Sequence, residues 1–189
     1  NFAIGFVGSF FSFEGLPLLV TAFSELLREF PLARLVLVGD GEDRIPVETL
    51  VKKLGLNEYV WLAGRVSHEN VPDFYSALDA LVYPRYSSEL TNLISPLKPL
   101  EPMAMSRCVI GSDVGGLREL IQDRQTGLLF RAGSVESLVE TLSMLLSGTV
   151  NATALGQNAR EYVVAQRQWK HMASVYDKAY ERALPLIER

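Results

Sequence analysis

The sequence holds one cysteine, Cys108, and two histidines among its 189 residues. A single thiol cannot close an internal disulfide and no Cys/His cluster has zinc-ligand spacing, so an unstapled fold in a reducing, cytoplasmic compartment is expected. Long apolar runs are missing too. None approaches the roughly 20 residues that span a bilayer, and no basic-then-apolar leader opens the chain, which speaks against an integral membrane protein. Basic charge is in short supply, with 18 Lys and Arg against 22 Asp and Glu and a formal net charge of −4. Those basic residues are scattered, so no nucleic-acid footprint is expected. There is no Gly-x-x-x-x-Gly-Lys-Ser/Thr loop and no Asp-x-Asp pair to hold a metal-bound diphosphate. No metal or cofactor is expected, and any anion has to be met by local groups.

What is present is a globular composition, 48% hydrophobic and 21% charged, at a length that suits one α/β domain with a continuous core. Short β-branched runs bounded by turn residues predict strands at Ala3 to Val7, Arg34 to Val38, Val60 to Ala63, Ala80 to Tyr83, Cys108 to Gly111 and Gly127 to Phe130. Most lack polar alternation, as parallel strands covered on both faces do. Helical spacing lies between them. Leu19, Ala22, Phe23, Leu26, Leu27 and Phe30 form one apolar stripe after Pro17, and Val47 to Leu54 and Val135 to Leu146 repeat the pattern. Alternation of strand and helix predicts a doubly wound, Rossmann-like sheet of about six parallel strands with helices on both faces. Ser147 to Ala154 reads as a polar spacer, followed by helices at Ala159 to Gln166 and Lys170 to Leu184. The expectation is a single domain over 1–189, with its core in 2–147 and C-terminal helices within 155–186. A buried strand so close to Asn1 suggests a fragment of a longer protein.

Ligands of open α/β sheets bind outside the carboxyl ends of the strands. Here those ends carry Gly8-Ser9, Gly39-Asp40-Gly41, Gly64-Arg65, Pro84-Arg85 and Gly111-Ser112-Asp113. Glycine permits close backbone approach, and free N–H groups at helix starts attract phosphate, so this rim suits an anion. The segment SPLKPLEPMAMS, residues 95 to 106, belongs to it. Pro99 disfavours helix at Lys98, while Glu101-Pro102 can open a helix. Two readings of Glu101 stand open: a carboxylate favoured by a helix dipole, or a ligand accepting both hydroxyls of a ribose diol. Lys98 is likewise a solvated surface lysine or a cation meeting phosphate. Cys108, Met103 and Met105 read as packing, and His68 and His171 as surface or capping residues.

These residues resemble the C-terminal, donor-nucleotide domain of GT-B-fold glycosyltransferases of the retaining, group-1 type. The resemblance runs in order through Gly8-Ser9 and Glu14-Gly15-Leu16, Leu35 to Gly41, Gly64-Arg65-Val66, Tyr75 to Pro84, Pro96 to Ala104, Asp113 to Ile121 and Thr126 to Phe130. It covers about residues 2 to 147, with Trp169 and Tyr176 in the same style. It implies a nucleoside-diphosphate sugar as donor and a glycan or lipid acceptor held by an N-terminal domain absent from this chain. Peripheral contact with the inner face of a membrane is also implied for such a protein. Glu101 matches the family's ribose-binding glutamate. Arg65 and Val66 match the segment beside the base, and Pro96 and Leu97 the loop approaching diphosphate and sugar, while Gly8, Ser9 and Gly39 of the anion-friendly rim are expected to join them in binding the nucleotide sugar.

Two departures stand out. Leu93 occupies the place of the family's other motif glutamate, and Ser9 and Glu14 occupy those of its Arg and Lys clamp. A departing diphosphate still needs neutralising. The expected substitutes are Lys98, with Arg85 second, and Glu89 for the missing glutamate. This fragment alone is expected to transfer nothing. Two alternatives share the fold: a nucleotide-sugar epimerase, which needs carboxylates and histidine around the sugar, and a degenerate module without catalysis. A phosphorylation receiver needs acidic strand ends, whereas Gly8-Ser9 and Gly64-Arg65 stand there.

Overall fold

The computed structural model describes residues 2–187; the side chain of His171 lies outside the described residues. Six strands form one sheet: β1 (Ala3–Val7), β2 (Arg34–Val38), β3 (Val60–Gly64), β4 (Ala80–Tyr83), β5 (Cys108–Ser112) and β6 (Leu128–Phe130). Their order is β3-β2-β1-β4-β5-β6, and every neighbouring pair is parallel. Ile4, Phe6, Leu35, Leu37, Leu81, Val82, Val109 and Ile110 are all buried, as strands covered on both faces require. The chain winds outward from β1 to β3, then returns to lay β4 on the other side of β1. That reversal opens a crevice at the carboxyl ends of β1 and β4.

The covering helices are α1 (Leu16–Leu26), α2 (Arg44–Lys53), α3 (Val71–Ala77), α4 (Glu89–Leu93), α5 (Leu100–Ala104), α6 (Gly115–Arg118), α7 (Val135–Leu146), α8 (Ala152–Gln166) and α9 (Trp169–Ile187). α1 buries Leu19, Val20, Phe23 and Leu26 and packs on α7, which contributes Leu138 and Leu142. Each such side chain contributes about 1.5–3 kcal/mol of burial. The apolar stripe of α1 promised helix through Phe30, but the regular helix ends at Leu26 and the chain continues in turns through Glu29, with the Leu27 N–H still bonded to the Phe23 carbonyl at 3.0 Å.

α8 corrects the C-terminal boundaries. It begins at Ala152, inside the expected spacer, because Asn151 accepts the Ala154 N–H at 3.0 Å and caps the first turn. Gly156 weakens the helical pattern in sequence for a packing reason: a β-carbon there would come within 2.1 Å of the Ser106 carbonyl oxygen, where α8 lies against the end of α5. The C-terminal helices thus span 152–187 rather than 155–186. No helix among the described residues is long and apolar enough to cross a membrane.

Candidate functional site

At the carboxyl ends of the strands, Gly8, Ser9, Gly39, Arg65 and Val66 line one cleft of about 180 Å³, together with Asp40 and Val71. Five of the expected site residues therefore converge from β1, β2 and β3. Pro96, Leu97 and Glu101 line a second cavity of about 570 Å³ between the loop before α5, the residues that follow α6 and the first turns of α9. Lys98 lines neither, but it adjoins Leu97 of the one and Gly8 of the other. Its backbone belongs to the loop, while its side chain crosses the end of β1 and lies on Gly8. A β-carbon at position 8, where φ is +151°, would come within 2.8 Å of Lys98 Cε and 3.0 Å of Nζ. The ammonium also stands 5.5 Å from the centre of the Phe6 ring.

A buried carboxylate fixes that ammonium. Lys98 Nζ donates to Glu14 Oε1 at 2.6 Å, Arg85 Nη2 donates to the same oxygen at 3.0 Å, and Arg85 Nε donates to Oε2 at 3.2 Å. Glu14 is 1% exposed and Arg85 7% exposed, whereas 27% of the Lys98 side chain remains open. The local fold explains the approach. Ser12–Glu14 is a single 3-10 turn closed by Gly15 at φ 72°, and a β-carbon at position 15 would stand 2.1 Å from the Pro84 carbonyl oxygen. Only glycine lets the turn press on the exit of β4, and that contact carries Glu14 to Arg85.

Glu101 sits in the first turn of α5, exposed, with one oxygen accepting from Tyr75 Oη at 3.1 Å. The other oxygen keeps its acceptor capacity. Burial, reinforced by the Glu101 charge, pushes the Tyr75 phenol well above its ordinary pKa, so it stays a donor at any neutral pH. Next to it, Tyr83 Oη donates to the Lys98 carbonyl at 3.1 Å. Two tyrosines, from α3 and β4, thereby pin the loop that carries both Lys98 and Glu101.

The model of the glycosyl transferases group 1 family matches residues 1–162, which includes the sheet, the rim and most of α8. The chain belongs to this family. Among curated relatives, the alpha-D-kanosaminyltransferase of Streptomyces kanamyceticus is 29% identical over 154 residues, covering 82% of this chain and 39% of its own length. The chain thus spans less than half of the curated relatives it matches. The solved C-terminal domain of a group 1 glycosyl transferase from Francisella tularensis superposes with a TM-score of 0.74 at 24% identity, over 89% of this chain and 87% of that one. The HepE protein of Anabaena, solved in complex with UDP, superposes with a TM-score of 0.85 at 18% identity, over 96% of this chain and 49% of its own.

Within this group 1 chain not every sequence candidate joins the site. Glu89 opens α4 as an exposed residue, lines neither cavity, and its carboxylate has no hydrogen-bond partner among the described residues. Leu93 is 73% exposed at the other end of α4. His68 is exposed in a 3-10 turn. Cys108 and Met103 are core residues, and burial pushes the Cys108 thiol up to about 12. Among the described residues no group of three His, Cys, Asp or Glu is placed to hold a metal ion.

Sequence reasoning missed Tyr75 and the pairing of Glu14. For Glu14 a signal existed: it is the only charge between Phe10 and Val20, and a lone acid in an apolar run that folds inward needs a cation. For Tyr75 there was none beyond a phenol on a short helix. Its role is measurable. Should this rim bind a nucleotide, Tyr75→Phe is expected to weaken that binding by about 3- to 10-fold, the worth of one hydrogen bond, in isothermal titration; unchanged affinity would remove Tyr75 from the site.

Proposed function

We propose that this chain is the donor-binding half of a glycosyltransferase that moves a sugar from a nucleoside diphosphate to an acceptor, with retention at the anomeric carbon. The observation that carries the reading is the placement of Lys98. Its ammonium lies over the end of β1 at the crevice between β1 and β4, beside a glycine-lined cleft and three residues from the half-satisfied carboxylate of Glu101. In this reading Glu101 accepts the ribose hydroxyls, and the Arg65-Val66 segment borders the base. The amides around Pro96 and Leu97 face the diphosphate and sugar. The UDP complex of HepE supports a nucleoside diphosphate as the ligand class.

The bond between the anomeric carbon and the phosphate oxygen breaks while the acceptor hydroxyl oxygen bonds to that carbon, and the hydroxyl proton passes to the departing diphosphate. Negative charge grows on the departing diphosphate, and a preorganised cation aimed at it lowers the barrier. Lys98 is that cation. The acceptor, a glycan or lipid, is held by a second domain, so closure of two domains aligns donor and acceptor. A cytoplasmic setting, with peripheral contact to the inner face of a membrane, completes the proposal.

A thermal-shift panel of UDP, GDP, ADP and their sugars tests it. A ligand at 100 times its Kd adds about 2.7 kcal/mol of stability, which raises Tm by about 5–10 °C for a domain of this size. One base is expected to stand out. No shift with any of them rejects the reading in favour of a degenerate module.

A further inference from the structure

We infer that Arg85 is a positioning residue that neutralises Glu14 and so leaves the charge of Lys98 free for the ligand. The inference rests on the reading that this rim takes a nucleoside diphosphate. Glu14, Arg85 and Lys98 carry one negative and two positive charges, a net of +1 for the cluster. The division of labour follows from burial and geometry. Arg85 grips both oxygens of Glu14, is 7% exposed, and packs its guanidinium 5.5 Å from the Phe13 ring, so nothing of it is offered to a ligand. Lys98 meets the carboxylate through a single oxygen that Arg85 already shares, and a quarter of its side chain is open beside Gly8.

Without Arg85 the same contact would turn against binding. Glu14 and Lys98 would form a closed pair of zero net charge, and an incoming diphosphate would have to compete with a full, buried carboxylate for the ammonium. With Arg85 in place, Lys98 transfers its hydrogen bond to phosphate while Glu14 keeps its bidentate partner. Asp40, the carboxylate that lines the neighbouring cleft, stands 4.0 Å from Arg44, whose closer partner is Glu48 at 2.9 Å.

This account differs from direct contact between Arg85 and phosphate in one measurable way. Arg85→Gln is expected to weaken binding of UDP, GDP and inorganic pyrophosphate by about tenfold or more, while uridine and guanosine affinities stay as in the parent chain. The paired variant Glu14→Gln with Arg85→Gln removes both the carboxylate and its counter-ion. Diphosphate affinity should then return to within about threefold of the parent. A paired variant as weak as Arg85→Gln alone, or an Arg85→Gln chain that binds diphosphates normally, overturns the inference. Urea unfolding of each variant verifies that it is folded; should the glutamine pair not fold, Glu14→Met with Arg85→Met makes the same comparison. A parent chain that binds no diphosphate at all would instead reject the donor-site reading itself.

Discussion

Lys98→Ala is expected to cost the chain about 10- to 150-fold in affinity for a nucleoside diphosphate, the range of a hydrogen bond to a charged partner. Affinity for the bare nucleoside should be untouched, because the ammonium lies over the end of β1 and makes its contacts with Glu14 and Phe6. Titration of UDP against uridine and of GDP against guanosine separates the two effects. The alanine leaves the fold intact for a structural reason. Glu14 retains both hydrogen bonds from Arg85, so no buried charge is orphaned. Equal losses for nucleoside and diphosphate would place Lys98 in the scaffold and not at the phosphates. Lys98→Arg should recover part of the affinity but not all, since a planar fork does not fit the slot over Gly8 that the slender lysine stem fills.

Glu14→Leu should have the largest effect on stability. The substitution leaves the Arg85 guanidinium buried without a carboxylate, and removing one partner of a buried pair costs about 3–5 kcal/mol. Domains have about 5–15 kcal/mol to lose. In urea the midpoint should fall with the slope unchanged, which marks a loss of native stability and not of compactness. Adding Arg85→Leu to Glu14→Leu should restore most of the loss, because an apolar pair in place of a buried ion pair is often close to neutral. A single variant within about 1 kcal/mol of the parent chain would mean that the ion pair is not formed in solution.

The sheet was legible because its strands, the edge strand β3 apart, are largely buried on both faces, and unbroken runs such as Leu35-Val36-Leu37-Val38 signal that burial. The short helices were not. α4 and α6, of five and four residues, are shorter than the pattern that reveals a helix. Glu101 and Lys98 could be found because prolines punctuate their loop and fix where α5 begins. Glu14 could be found only as an oddity, since its partners lie 71 and 84 residues away and meet it through the winding of the sheet. Ranking Lys98 first and Arg85 second as spare cations was as far as sequence could go; that both meet Glu14 was not legible. Burial separates them: one guanidinium is enclosed with Glu14, and one ammonium stays at the edge of the crevice.

The two tyrosines that hold the 96–101 loop have a consequence for how a nucleotide is gripped. Tyr83 holds the carbonyl of Lys98 and Tyr75 holds the carboxylate of Glu101, so the phosphate end and the ribose end of the grip are parts of one braced piece. A ligand that engages one end finds the other already in place, and the ordering cost that flexible loops impose on binding is met during folding. A whole nucleoside diphosphate should therefore bind more tightly than its two halves would suggest when measured apart. In the proposed site, ribose and phosphate would be read together, as a span of fixed length.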